Sequence, residues 1–558
     1  MNIVRRLINE PKRLAPALPI ALVLYLMLSS FSRPGVTADG QTYLQIARNI
    51  HFGIGLGWQA LWVPPLHSCL VALVGWLPGV PDLLLASAIV GALMGLFLVV
   101  AVWLLAEELF GRTVALGAAF VAALFPHFHW IFKAPEAECT YTAFLVFSLW
   151  LFCSARRKQS LKLFVFCGIA FSLAYMSRSE GFLVMVFAIA ASLFEQWRSR
   201  SQRNYARGIA LLLLAFLITS LPYMLFLKKH YGSWVISPKS TYVLIWMKSR
   251  IYHDNDLGEV GNEELWGLTD SGTLKWQVPS GAGDVLSYLM SHPAKSARVY
   301  LDNLLREVPG RIPNNSGMER YPQVFPVLFA LAAIAALLSR WGDRSAQNKA
   351  VFLSPFLILL VLPVFTDGWW KYLVPYAPFL IILGCAGITF SAECAFKRFP
   401  YATGRTISLV AMLALALYFR IMAFPLRLLS SPDVSSTSAP GPSAELKARR
   451  SYAADAEKAG RWIAESLGQG HNYMVPAFSK LIYPLNGFWT ATPVADYERL
   501  HAYAISEGAE YFIAELDGSV PIENITTVPP GLRFETMYRS PESGYTAAVY
   551  RFIPLGNR

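Results

Sequence analysis

Leu96-Phe97-Leu98-Val99-Val100-Ala101-Val102-Trp103-Leu104-Leu105-Ala106 closes an uncharged run that begins at Leu83. Such a run exceeds the ~20 apolar residues a helix needs to cross a hydrocarbon core of ~30 Å. It is one of about eleven, near 16–32, 82–106, 113–129, 138–154, 161–177, 181–195, 208–227, 323–339, 350–366, 372–391 and 405–424. Several are short and need tilt, or burial in protein, to serve as crossings. The pattern predicts an α-helical polytopic membrane protein.

Composition agrees. Of 558 residues, 55% are hydrophobic and 15% charged, whereas a soluble domain carries about a quarter charged residues. The net charge of +12 sits in short loops, at Arg5/Arg6/Lys12/Arg13, Arg112, Arg156/Arg157/Lys158, Arg198/Arg200/Arg203/Arg207, Arg340/Arg344/Lys349 and Lys397/Arg398/Arg405. These loops fall on one side of the bilayer, the positive-inside pattern, so the basicity calls for a lipid bilayer and not for nucleic acid. The expected orientation is a multi-pass inner-membrane protein with a cytoplasmic N-terminus. The run 16–32 is read as a retained span, since no small-residue cleavage site follows it. The six cysteines lie in or beside apolar runs without a C-x-x-C pair and read as apolar filler.

The longer polar segments 33–81, 229–322 and 425–558 then lie outside the cytoplasm. In 39–50, Tyr43, Ile46, Ala47 and Ile50 recur at three- and four-residue steps with Gln41, Gln45, Arg48 and Asn49 between them, an amphipathic helix suited to the interface. A glycine-rich turn at 53–57 and the Pro64-Pro65 pair precede a second helix, interfacial or broken. Segment 229–322, with Trp234, Trp246, Trp266 and Trp276, reads as an ordered loop partly at headgroup level. The expected domains are a membrane domain over 1–429, a Ser/Pro-rich linker over 430–445 and an extracytoplasmic α/β domain over 446–558. Within the last, helices are expected at 446–467 and 496–507, and strands at 472–476, 510–515 and 545–552.

Four constellations carry candidate chemistry. Asp39, just past the first span, is placed either to act as a general base or to cap the helix it opens. Glu136 and Glu138 open the fourth span, and on a helix two residues apart they point about 200° away from each other, so only one would face a shared cavity. Arg178 and Glu180 interrupt apolar surroundings at membrane depth, either to hold a lipid phosphate or to close a helical hairpin as a local pair. Lys371 and Tyr372 suit a phosphate and its attached ring, and equally an interfacial anchor. His127 and His129 leave a divalent cation open, without a fixed third ligand, and no other cofactor is indicated.

Taken with their order, Ala38-Asp39-Gly40-Gln41-Thr42-Tyr43, Pro64-Pro65-Leu66, Glu138-Cys139-Thr140-Tyr141-Thr142, Ser177-Arg178-Ser179-Glu180-Gly181 and Lys371-Tyr372-Leu373-Val374-Pro375 resemble a family. The chain looks like the C-type (GT-C fold) glycosyltransferases that use polyprenyl-phosphate sugars, closest to protein O-mannosyltransferases and lipid A aminoarabinose transferases. The resemblance implies a monosaccharide passed from a polyprenyl-phosphate donor to an acceptor hydroxyl of unknown identity at the extracytoplasmic face, with inversion. It implies Asp39 and Glu138 (or Glu136) as catalytic acids. Arg178, Lys371, Tyr372, Tyr43 and His67 are the residues it places around the donor phosphate and sugar. Asp39 is followed by glycine where the mannosyltransferases carry a second acid. The long acidic-aromatic signature of oligosaccharyltransferases is absent, which argues against transfer of a preassembled oligosaccharide. The competing readings are a transporter or lipid flippase, whose ionisable groups would sit near the bilayer midplane in repeated halves, and a non-catalytic envelope assembly protein.

Overall fold

The computed structural model describes, with short gaps, residues 36–199, 205–237, 266–302, 333–361, 374–423 and 444–553. Its helices, in chain order, are α1 (Ala38–His51), α2 (Leu66–Gly75), α3 (Leu83–Phe110), α4 (Arg112–Leu124), α5 (Pro126–Lys133), α6 (Glu138–Lys158) and α7 (Leu161–Ser177). They continue with α8 (Glu180–Ser199), α9 (Ala206–Tyr231), α10 (Ala282–Ser291), α11 (Pro293–Asp302), α12 (Ala377–Ala395), α13 (Tyr401–Ala423), α14 (Ala444–Leu467) and α15 (Tyr497–Ser506). The chain divides into two compact units. One gathers the described residues of 64–226 and 300–423, the other those of 36–63, 227–299 and 444–553.

The first unit is a helical bundle. α6 packs against both α3 and α7, while α4 packs on α3, α12 and α13. Among the described residues, five helices are long and apolar enough to cross a membrane: Leu83–Phe110, Glu138–Lys158, Glu180–Trp197, Ala206–Tyr231 and Val374–Ala395. The apolar window of α6 is 83% buried, so this helix runs through the bundle interior with little lipid around it. That is where a spanning helix can afford polar side chains.

One expected span is broken where the sequence reads as continuous. The run 113–129 splits into α4 and α5, because Pro126 cannot continue a helix and holds Phe125 in an extended conformation (φ −67°, ψ 118°). The run 350–366 begins as a short helix, Lys349–Leu353, tightens into a 3-10 turn, Ser354–Leu357, and is helical again at 358, 360 and 361, while 362–366 lie outside the described residues. The run 16–32 and most of 323–339 lie outside the described residues.

The second unit is built on a five-stranded mixed sheet of β1 (Asn472–Val475), β2 (Phe488–Ala491), β3 (Tyr511–Leu516), β4 (Leu532–Arg539) and β5 (Thr546–Phe552), in the order β2-β1-β3-β5-β4. β2, β1 and β3 run parallel, and β5 and β4 add antiparallel. The strands expected near 472–476, 510–515 and 545–552 are the three central ones, and β2 and β4 form the two edges.

Two segments remote in sequence complete this unit. Trp266 O accepts the Val494 N–H at 2.9 Å, and Arg499 Nη2 donates to the carbonyls of Leu268 and Thr269. Trp266 is buried and stacks on Trp62, with ring centres 6.0 Å apart. It is therefore a packing residue and not a headgroup anchor. The other segment is the one that contains Asp39.

Candidate active site

α6 and α7 form an antiparallel hairpin of 21 and 17 residues. Its turn is made by Gln159 in the left-handed conformation and by Ser160, whose hydroxyl accepts the Leu163 N–H. At 1.5 Å rise per residue, the far ends of two such helices are level to within about 6 Å. Geometry alone thus brings the start of α6, Glu138, to the end of α7. There Arg178 leaves the helix in an extended conformation and Glu180 opens α8. Gly181 allows the tight reversal, since a Cβ there would lie 2.7 Å from the Tyr175 backbone nitrogen.

The result is a buried charge cluster. Arg178 Nη1 donates to Glu138 Oε1, and Arg178 Nη2 donates to Glu180 Oε1 at 2.9 Å. The side chains of Arg178 and Glu138 are only 7% and 3% exposed, so water does little to screen the pair. Glu138 Oε2 is buried and has no hydrogen-bond partner among the described residues. One carboxylate oxygen is thus fixed and the other still holds its acceptor capacity. Tyr141, three residues on and hence on the same helix face, has its ring 6.0 Å from the Arg178 guanidinium carbon. Its hydroxyl lies 3.2 Å from that of Tyr376.

Glu136 precedes the helix instead of lying on it, in the turn between Lys133 and Glu138. Helical spacing therefore does not separate the two acids, and both are buried. His67, at the start of α2, is wholly buried with Nδ1 2.9 Å from Thr140 Oγ1. Burial pushes its imidazolium down to about 3, so it stays neutral and joins α2 to α6 as a hydrogen-bonding group, not as a cation.

In the second unit, Asp39 sits in the first turn of α1, where the helix dipole favours an anion. It is not the cap. Thr37 is, its hydroxyl accepting the Gly40 N–H at 2.9 Å. The face of α1 expected to meet water is buried along with its apolar face, through Gln41, Gln45 and Asn49. Gln45 and Asn49 are accommodated in a chain of amides that Gln41 does not join. Gln45 Nε2 donates to Asn49 Oδ1 at 2.9 Å, Asn49 Nδ2 to Gln59 Oε1 at 3.3 Å, and Gln59 Nε2 to Trp489 O at 3.1 Å. Tyr43 is buried on the same helix.

Lys371 and Tyr372 lie outside the described residues. From that part of the sequence, Tyr376 is the residue seen to reach the Glu138 helix. Its signal was there in principle, as an aromatic at the start of a span, but Trp369, Trp370 and Tyr372 carry the same signal. Among the described residues no three His, Cys, Asp or Glu side chains gather as metal ligands.

The family described as dolichyl-phosphate-mannose-protein mannosyltransferase matches residues 63–223, the segment that contains Glu138, Arg178 and Glu180. Compared with curated proteins, the sequence has no match. Among solved structures, the chain is similar to the Archaeoglobus fulgidus oligosaccharyltransferase tethered with an acceptor peptide containing the NVT sequon. Identity is 14% and the TM-score 0.54, over 90% of this chain and 68% of that one. It is similar to ArnT from Cupriavidus metallidurans bound to undecaprenyl phosphate, at 14% identity and a TM-score of 0.53 over 96% and 97% of the two chains. It is also similar to AglB from Archaeoglobus fulgidus in complex with an inhibitory peptide and a dolichol-phosphate (14%, 0.52, 98% and 74%). The chain thus has the GT-C fold of an integral membrane protein with a C-terminal α/β region, and it resembles the lipid-phosphate-dependent glycosyltransferases of that fold.

Proposed function

We propose that this protein is a membrane glycosyltransferase that moves a monosaccharide from a polyprenyl-phosphate donor to an acceptor hydroxyl at the extracytoplasmic face of the inner membrane. The observation that carries this reading is the buried Glu138–Arg178–Glu180 cluster inside the segment matched to mannosyltransferases.

In the reaction the bond between sugar C1 and the donor phosphate oxygen breaks, and polyprenyl phosphate leaves with both electrons. The acceptor oxygen forms the new bond to C1 from the opposite face, which inverts the configuration. Asp39 takes the proton that the acceptor hydroxyl loses. Glu138 offers Oε2 to the sugar or to the positive charge that develops on it. Arg178 spends both terminal nitrogens on carboxylates. It therefore positions Glu138, and the N–H groups that remain on its guanidinium can donate to the donor phosphate. Stabilising the departing phosphate falls to Lys371 with Tyr372 and to the remaining N–H groups of Arg178. Any divalent cation would act beside the same acids.

The test is to incubate the purified protein in detergent with a panel of polyprenyl-phosphate monosaccharides and an acceptor extract, scoring free polyprenyl phosphate. Release that depends on Asp39 and Glu138 is expected. Donor moved across vesicles but left chemically intact would replace this reading with a transporter.

A further inference from the structure

The edge strand β2 is gripped along its open side. In a strand, backbone groups of alternate residues point the same way. Phe488 and Thr492 turn their N–H groups toward β1 and its extension, donating to His471 O and Val475 O. The carbonyls of Gly487 and Trp489 therefore face the open edge, where an unpaired strand would normally be a liability. Here Arg48 Nη1 donates to Gly487 O at 2.5 Å, and Gln59 Nε2 donates to Trp489 O. Trp58 Nε1 also points at Trp489 O at 3.4 Å, and its ring packs edge-on against the Trp489 ring at 5.0 Å. Phe52 packs edge-on against Phe488. These donors lie in the same 35–63 segment as Asp39, more than 400 positions away from the strand they hold.

The grip reaches α1 through a one-way chain of amides, Gln45 to Asn49 to Gln59 to the Trp489 carbonyl, in which each donor polarises the next. Gly57 permits it. Its φ is +70°, and a Cβ there would lie 2.1 Å from Asn49 Nδ2 and 2.7 Å from Gln59 Oε1.

We propose that the edge strand of the C-terminal sheet is a positioning element for Asp39, holding α1 in place through Arg48 and the Gln45–Asn49–Gln59 amide chain. The inference rests on the glycosyltransferase reading, in which Asp39 is the base. On this view the C-terminal domain sets the rate of transfer and not the affinity for donor. Arg48, Asn49, Gly57 and Gln59 are positioning residues that touch no substrate.

The test uses the full chain with the polyprenyl-phosphate monosaccharide that the wild type consumes. Gln59→Met and Gly57→Ala cut the chain of amides, and Arg533→Ala on the opposite edge strand serves as the control. Cutting the chain is expected to lower kcat roughly 10- to 100-fold, because a displacement of about 1 Å at a reacting group has that consequence. KM for the donor is expected to stay within about twofold. Hydrogen exchange of the first-turn amides of α1 is expected to quicken at least tenfold. Arg48→Lys should retain more activity than Arg48→Met, and Arg533→Ala should match the wild type. Wild-type kcat in Gln59→Met and Gly57→Ala, while Asp39→Asn is inactive, overturns this inference and leaves the proposed function standing. KM rising in step with the loss, or unchanged exchange in α1, also overturns it. Full activity in Asp39→Asn, or no donor consumed by the wild type, overturns both.

Discussion

The two acid-bearing regions are held by opposite means. Glu138 is fixed by charge, through a guanidinium that also bridges Glu180, and every contributor comes from one helical hairpin and the turn after it. Asp39 stands on a helix fixed by neutral amides and by a strand edge from the far end of the chain. A buried ion pair is strong only while complete, since removing one partner leaves an uncompensated charge. An amide chain is weaker at each link but imposes direction. The first arrangement suits a group that must keep its charge and orientation inside a bundle. The second suits a group that must exchange a proton at an exact place.

That contrast can be broken most severely at Asp39. Asp39→Asn is expected to lower the turnover number by about 10²–10⁴-fold while leaving Tm at the wild-type value. A fall in Tm that accounts for the lost activity would make Asp39 a structural residue.

On the charged side, Arg178→Met should cost roughly 3–5 kcal/mol of stability, by stranding Glu138. Thermal unfolding in detergent would show this. Arg178→Met combined with Glu138→Gln should recover part of the loss, and a double variant no more stable than Arg178→Met would mean that the two side chains are not coupled.

The next effect is one of pH, and it comes from His67. In the folded chain it gains a proton only near 3, against 6.5 when unfolded. Acid is thus bound preferentially by the unfolded state, and stability falls as pH drops below 6.5, by up to about 1.4 kcal/mol per pH unit. His67→Gln lacks this term, so its Tm should decline less than the wild type's between pH 7.5 and 5. Parallel declines would show that His67 is not buried as a neutral ring.

The smallest effect distinguishes capping from chemistry. Thr37→Ala should cost about 1 kcal/mol through loss of the α1 cap, an amount that Asp39→Asn should not reproduce. Equal destabilisation by the two would return Asp39 to a capping role.

Legibility in the sequence followed the range of the interactions. The apolar runs of α3, α6 and α9 announce themselves because lipid and bundle interior alike select apolar side chains. The three central strands were visible as short β-rich runs, while β2 and β4 were not. Both are edges, and an edge strand such as Leu532–Arg539, half-buried along most of its length, carries no continuous apolar signal. Among the site residues, Arg178 and Glu180 stood out as charges in an apolar stretch. Tyr376 and Gln59 did not, because an aromatic at a span start and a glutamine in a loop are common in any membrane protein.

Residue order by itself thus determined the class of protein, the acidic motifs and their succession along the chain, since periodicity and charge are properties of near neighbours. Only tertiary structure decided that Arg178 bridges Glu138 and Glu180, that Thr37 and not Asp39 caps α1, and that the polar face of α1 is buried. Each of those outcomes depends on a partner supplied from elsewhere in the chain. A side chain's chemistry states what it can bond to, and the fold alone determines which partner arrives.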